Sequence, residues 1–156
     1  MDDHWVHLND GEPVSANRAI TVQMKRWNEE KESLLASNAK LGIRISGEDG
    51  VEAVVQELRH FSLVVLEFPV FTDGRCFSLA RLLRDRYDYQ GELRAKGDVL
   101  RDQLFFLARV GVNAFELKQA TPEYLQEALS AFDDFTVKYQ AASDEALPLY
   151  KRQRRQ

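Results

Sequence analysis

The sequence predicts an α/β domain built on a parallel sheet, and three observations carry that prediction. Short apolar runs alternate with longer runs at helical spacing, in the order of one helix followed by four strand-helix units. Residues 63–68, LVVLEF, are apolar at five of six positions, the composition of a strand covered on both faces. The connections are short, which imposes parallel strands and right-handed crossovers. The expected architecture is a four-stranded parallel βα-repeat sheet with a leading N-terminal helix. Two strand orders fit: a sequential one, as in half of a βα-barrel, and a doubly wound one. Residues 1–19 read as an arm, 20–140 as a single α/β domain and 141–156 as a tail with a basic end.

Each element has its own warrant. From about Thr21 to Ser37, the apolar positions Ile20, Met24, Trp27, Leu34 and Leu35 recur at helical spacing among Lys25, Arg26, Glu29, Glu30, Lys31 and Glu32, which describes a helix with a thin apolar stripe and a solvated charged side. In LGIRI, 41–45, Leu41, Ile43 and Ile45 alternate with Gly42 and Arg44, so one face of that strand is covered. Val51, Val54, Val55, Leu58 and Phe61 then mark one side of a helix. Pro69 stops the LVVLEF strand because it lacks a ladder N–H. Cys76, Leu79, Ala80, Leu83 and Tyr87 form the apolar face of the next helix, with Arg81 and Asp85 as an exposed pair one turn apart. ELRA, 92–95, is a short strand, and Gly97 and Asp98 open a helix that Gly111 ends. VNAFEL, 112–117, is the last strand. Thr121 and Pro122 start a final helix that carries Leu125, Ala128, Leu129, Phe132, Phe135 and Tyr139.

Composition narrows the function. With 156 residues, 44% hydrophobic and 29% charged, the chain suits one domain with one core. A formal charge of -4 argues against general nucleic-acid binding, with KRQRR at 151–155 as the local exception. No apolar run approaches the ~20 residues of a membrane span, and MDDHWVHLNDG lacks the basic lead and apolar region of a signal segment, so the expected location is cytoplasmic. Cys76 stands alone, and His4, His7 and His60 are scattered, so neither a disulfide framework nor a metal set is motivated. Dinucleotide and P-loop fingerprints, C-x-x-C and a nucleophile elbow are all missing, and no cofactor is expected.

Chemistry concentrates at two junctions. Loops leaving the carboxyl ends of parallel strands share one edge, where α/β folds bind ligands. At the first, FTDGRCFS, Asp73 is placed to cap a helix and Gly74 to allow a tight turn, while Arg75 in the first turn opposes the helix dipole unless an anion answers it. At the second, KGDVLRDQLFF, Asp98 is the cap, with Arg101 and Asp102 one turn on. Glu67 on the buried strand needs a partner or a raised pKa, and Arg75 or Arg101 could serve. Cys76 would have a lowered pKa if exposed, but it also fits the buried stripe. Glu67, Asp73, Asp98 and Glu116 make a minor acidic alternative for a hard cation.

The blocks DGRCFSLARLLRDRYDYQGELRA and GDVLRDQLFFL, with the flanking RWNEEKESLLA, LGIRI and PLYKR, resemble the bacterial DUF934 family. Members of that family are labelled as oxidoreductases involved in sulfite reduction. The resemblance implies a role in sulfur assimilation and sulfite reductase or a related enzyme as partner. It carries over Asp73, Gly74, Arg75, Ser78, Arg81, Gly97, Asp98, Arg101, Asp102 and Gln103 as signature positions. The chain departs from the family pattern at Cys76, usually glycine, and at Asn113, usually aspartate. The expected function is an accessory protein of sulfite or sulfate reduction that binds the reductase machinery or a small oxyanion at Asp73, Gly74, Arg75, Ser78, Gly97, Asp98, Arg101, Asp102 and Gln103. The alternative is an enzyme of oxidoreductase or lyase type that uses Glu67, Asp98 and Arg101 on a small anionic substrate.

Overall fold

The computed structural model describes residues 4–15, 17–118, 121–133, 140–145 and 147–148. Its sheet has six strands rather than four. β1 (Trp5–His7), β2 (Ala19–Gln23), β3 (Lys40–Ser46), β4 (Leu63–Phe68), β5 (Glu92–Gly97) and β6 (Ala114–Leu117) lie side by side in sequential order, and every neighbouring pair is parallel. The crossovers carry α1 (Met24–Ala36), α2 (Glu52–Val55), α3 (Arg75–Asp85) and α4 (Arg101–Arg109), and α5 (Pro122–Ser130) follows β6. Of the two strand orders, the sequential one is realised.

The helix expected to lead the chain is α1, and it does not lead. AITVQ immediately before it is β2, because Ile20, Thr21 and Val22 are β-branched and extend before the helical spacing begins. Arg26, expected on the solvated side of α1, is buried, and its guanidinium donates to the carbonyls of Asn9 and Glu12, both at 2.6 Å. The helix expected over 51–61 is divided into the four residues of α2 and a 3₁₀ turn at Leu58–His60. Phe61 is already extended there and meets Trp27 edge-on at 4.7 Å. α5 has its Thr121 cap, whose hydroxyl accepts from the Tyr124 N–H at 3.3 Å. Phe135, Tyr139 and the KRQRR end lie outside the described residues.

Residues paired across a parallel ladder share a face, so the registers divide the sheet into two surfaces. On the helix side, Ile20, Val22, Leu41, Ile43, Ile45, Val64, Leu66, Phe68, Leu93 and Ala95 pack with Trp27, Leu34, Leu83, Leu104 and Leu107 in one apolar core. The opposite surface is built of rows. His7, Thr21, Gly42, Leu63 and Glu92 make one; Gln23, Arg44, Val65, Arg94 and Ala114 the next; Ser46, Glu67, Lys96 and Glu116 the third. Among the described residues, three of the four buried polar or charged side chains, Thr21, Arg44 and Arg94, stand on this surface.

One contact shows that this second surface is concave. His7 on β1 and Glu116 on β6 are at opposite edges, yet His7 Nε2 lies 2.9 Å from a Glu116 carboxylate oxygen. In a flat sheet the row of His7 runs to Glu92, four positions short of Lys96, the partner of Glu116 on β5. The edges therefore meet with an offset along the strands, which is the stagger a tilted sheet acquires when it curls towards a barrel. The sheet is a half-barrel with helices outside and charged side chains within.

Candidate functional site

The strongest arrangement of ionisable groups lines this concavity. Glu116 receives the Lys96 ammonium at 2.6 Å and faces His7 at 2.9 Å, with one nitrogen of Arg94 at 3.6 Å. Burial pushes its carboxyl up, but the hydrogen bonds from Lys96 and His7 outweigh that and hold it below the usual carboxylate range. The other ring nitrogen of His7 is 2.6 Å from the Thr21 hydroxyl. Arg94 forks onto Glu92 at 3.0 and 2.7 Å. Arg44 reaches across β2 to the Leu8 carbonyl and stands 3.9 Å from Glu67, while its Nε is buried with no partner among the described residues.

Where β3, β4 and β5 end, Ser46, Glu67, Phe68, Pro69, Lys96 and Gly97 enclose a recess of about 240 Å³. Its floor is fixed by backbone. Gly97 has φ +113°, and a Cβ there would sit 2.4 Å from the Phe68 carbonyl, so only glycine allows β5 to leave the sheet beside β4. The Asp98 N–H then donates to that same carbonyl at 2.9 Å. Lys96, Ser46 and Glu67 border this one small space; the Lys96 ammonium holds Glu116 at 2.6 Å with donors to spare, and the Ser46 hydroxyl donates to Asp49 at 2.9 Å.

The residues singled out from the two junctions are distributed differently. Glu67 finds Arg44, not Arg75 or Arg101, because it shares the concave surface with Arg44. Asp73 accepts from the Arg75 backbone at 3.1 Å and from its guanidinium at 2.9 and 2.7 Å, which lowers its carboxyl to about 2. Gly74, not Asp73, occupies the N-cap position of α3. Arg75 passes over Gly47, where a Cβ would come within 2.6 Å of its own, and ends 3.6 Å from Glu48. Ser78 and Asp102 are exposed on α3 and α4.

α4 starts at Arg101, so Asp98 is not its cap; the Gln103 side chain takes that place, accepting from the Leu100 N–H at 3.0 Å. Gln103 also donates to the Phe71 carbonyl at 2.8 Å and ties the two junctions together. Arg101 turns to α5, donating to the Glu127 carbonyl at 3.1 Å and the Ser130 hydroxyl at 3.0 Å. Arg75 and Arg101 thus face different neighbours and are not brought together. Cys76 is buried, and burial pushes its thiol up to about 12. Glu67, Asp73, Asp98 and Glu116 are not grouped for a metal; no cluster of three or more His, Cys, Asp or Glu is, among the described residues.

Sequence reasoning missed His7, Thr21, Arg44, Glu92, Arg94 and Lys96. A signal existed in their placement at alternate positions of strands, but it reads as solvent exposure unless the second surface is known to curl inwards.

These features define a class: a curled, parallel βα-repeat protein whose inner surface is a network of acidic and basic side chains. The family model described as a bacterial protein of unknown function, DUF934, matches residues 42–150, and the chain belongs to that family. No curated protein matches the chain. No helix among the described residues is long and apolar enough to cross a membrane.

Proposed function

We propose that the protein is an accessory component of assimilatory sulfite or sulfate reduction that takes a small oxyanion in the recess between Ser46, Glu67, Lys96 and Gly97. One observation carries the reading: Lys96, a three-donor ammonium of which Glu116 takes one, borders a recess with Ser46 and Glu67 at the carboxyl ends of β3 to β5, the edge at which parallel βα folds bind ligands. A cavity of about 240 Å³ suits one oxyanion and its waters. Glu67 would accept the proton of a singly protonated anion such as hydrogensulfite. The pathway itself rests on the family resemblance. Titration calorimetry with sulfite, sulfate and phosphate tests the reading. Binding of at least one anion, weakened about tenfold in Lys96→Met, supports it, since losing a charged hydrogen bond removes 1.5 kcal/mol or so. Heat signals absent for all three anions in folded wild type would defeat it.

A second reading, an enzyme acting on a small anionic substrate at this edge, is favoured by the continuous run Lys96, Glu116, His7, Thr21, through which a proton could be moved. The two separate in a pull-down from sulfate-grown cells. Recovery of sulfite reductase, lost with Arg75→Ala, supports an accessory role; turnover of a bound anion without any partner supports an enzyme.

A further inference from the structure

The outer edge of β6 runs between two recesses of opposite character. On the concave side a cavity of about 670 Å³ is walled by Trp5, Lys40, Glu92, Arg94 and Glu116. On the helix side a groove of about 560 Å³ lies between α4, α5 and β6, with Leu104, Ala108, Leu125, Leu129 and Phe132. Asn113, Ala114 and Phe115 border both. Leu129 is 67% exposed, so this apolar groove faces solvent.

The backbone of β6 is set to receive a strand. The Asn113 N–H donates to the Leu93 carbonyl, and in a parallel ladder residues two apart turn their N–H and C=O groups to the same side. Asn113 precedes β6; within the ladder Glu92, Arg94 and Lys96 turn their backbone groups to β4, as the Glu92 N–H on the Ser62 carbonyl shows, so their partners Ala114 and Glu116 are the residues that bond β5. Phe115 and Leu117 turn their polar backbone to the outer edge, where β6 is the last strand among the described residues.

We propose that this edge accepts one extended segment of a partner protein, with apolar side chains at alternate positions and acidic ones between them. The apolar set enters the α4–α5 groove and the acidic set enters the concave cavity beside Lys40 and Arg94. Charge selects acidic side chains. Glu92 and Glu116 already hold Arg94, Lys96 and His7, whereas the exposed Lys40 ammonium lies over the Trp5 ring at 5.2 Å and is placed to take a carboxylate. Gap width selects a single strand over a second copy of this chain. Side-chain reach across the His7–Glu116 contact limits their Cα separation to roughly 12 Å, which spans two strand spacings of about 4.8 Å but not three. A lone segment fits between β6 and β1; a β6 backed by its own β5 does not.

The probe is a fluorescein-labelled peptide of about ten residues alternating valine and glutamate, against a scrambled peptide of the same composition. Anisotropy should show saturable binding of the alternating peptide, and the Phe115 and Leu117 amides should gain hydrogen-exchange protection with it. Leu117→Pro, at the last position of β6, removes an outward N–H and leaves the β5 ladder whole, so binding should weaken about tenfold with the melting temperature little changed. Lys40→Glu should weaken the glutamate peptide and improve a valine–lysine one. Equal binding of the scrambled peptide, unaltered binding by both variants, or protection of the Phe115 and Leu117 amides before any peptide is added would each overturn the proposal.

Discussion

Replacing Glu116 with Gln should be the most informative single change to the concave surface. The substitution keeps shape and removes the charge that receives Lys96 at 2.6 Å and faces His7 at 2.9 Å. Removing one member of a fully buried charged set costs 3–5 kcal/mol or so, and the Glu116 side chain is 34% exposed, so a discounted loss of about 1–2 kcal/mol follows. With a urea slope of about 2 kcal/mol per molar, the midpoint should fall by about 0.5–1 M. The His7 contribution is isolated by a double-mutant cycle of Glu116→Gln with His7→Gln, for which we expect a coupling of about 1 kcal/mol. Acid titration adds a sign. The native carboxyl titrates below its ordinary value of 4.5, so its stabilisation is present above that pH and disappears as pH falls through the lower native value. Glu116→Gln should lack this part of the acid limb. Strict additivity in the cycle, within about 0.3 kcal/mol, would refute the claim that β1 and β6 are joined across a curled sheet.

Three further outcomes are expected. Gly97→Ala should destabilise by about 2–4 kcal/mol in urea unfolding, from the positive φ and the blocked approach to Phe68; a variant as stable as wild type would contradict that close approach. Cys76, with its thiol raised to about 12, should react with iodoacetamide at pH 8 far more slowly in the native protein than in denaturant, as mass spectrometry would read; equal rates would place it at the surface. Arg101→Ala should lower stability by about 1 kcal/mol through the lost α4–α5 ties, without affecting anion binding, whereas impaired anion binding would return Arg101 to the ligand site.

The middle of the fold was legible because its patterns are local. LVVLEF is β4 residue for residue, and the stripe of Cys76, Leu79, Ala80 and Leu83 is the buried side of α3. β1 and β2 were missed because three residues give no periodicity and because AITVQ runs straight into the α1 pattern. The junction residues were expected to share one rim, with Asp73 and Asp98 as caps; Gly74 and Leu100 hold the cap positions, and Arg75 and Arg101, the first residues of α3 and α4, are claimed by different neighbours. The concave network was illegible for another reason. His7 and Glu116 are 109 positions apart, and nothing in either strand alone indicates that they touch. A polar residue alternating with apolar ones was assigned to water, whereas Arg44 and Arg94 have less than a tenth of their surface exposed.

The grip of Arg26 and Arg44 on the Leu8, Asn9 and Glu12 carbonyls has a consequence for how the interior opens. β1 is three residues long, and little besides Leu8 anchors that stretch in the apolar core. Departure of this segment, a partial opening of the kind hydrogen exchange detects, would have to break those ties together with the β1–β2 ladder. Such a departure would take His7 from Glu116 and uncover the whole inner wall while every helix stays in place.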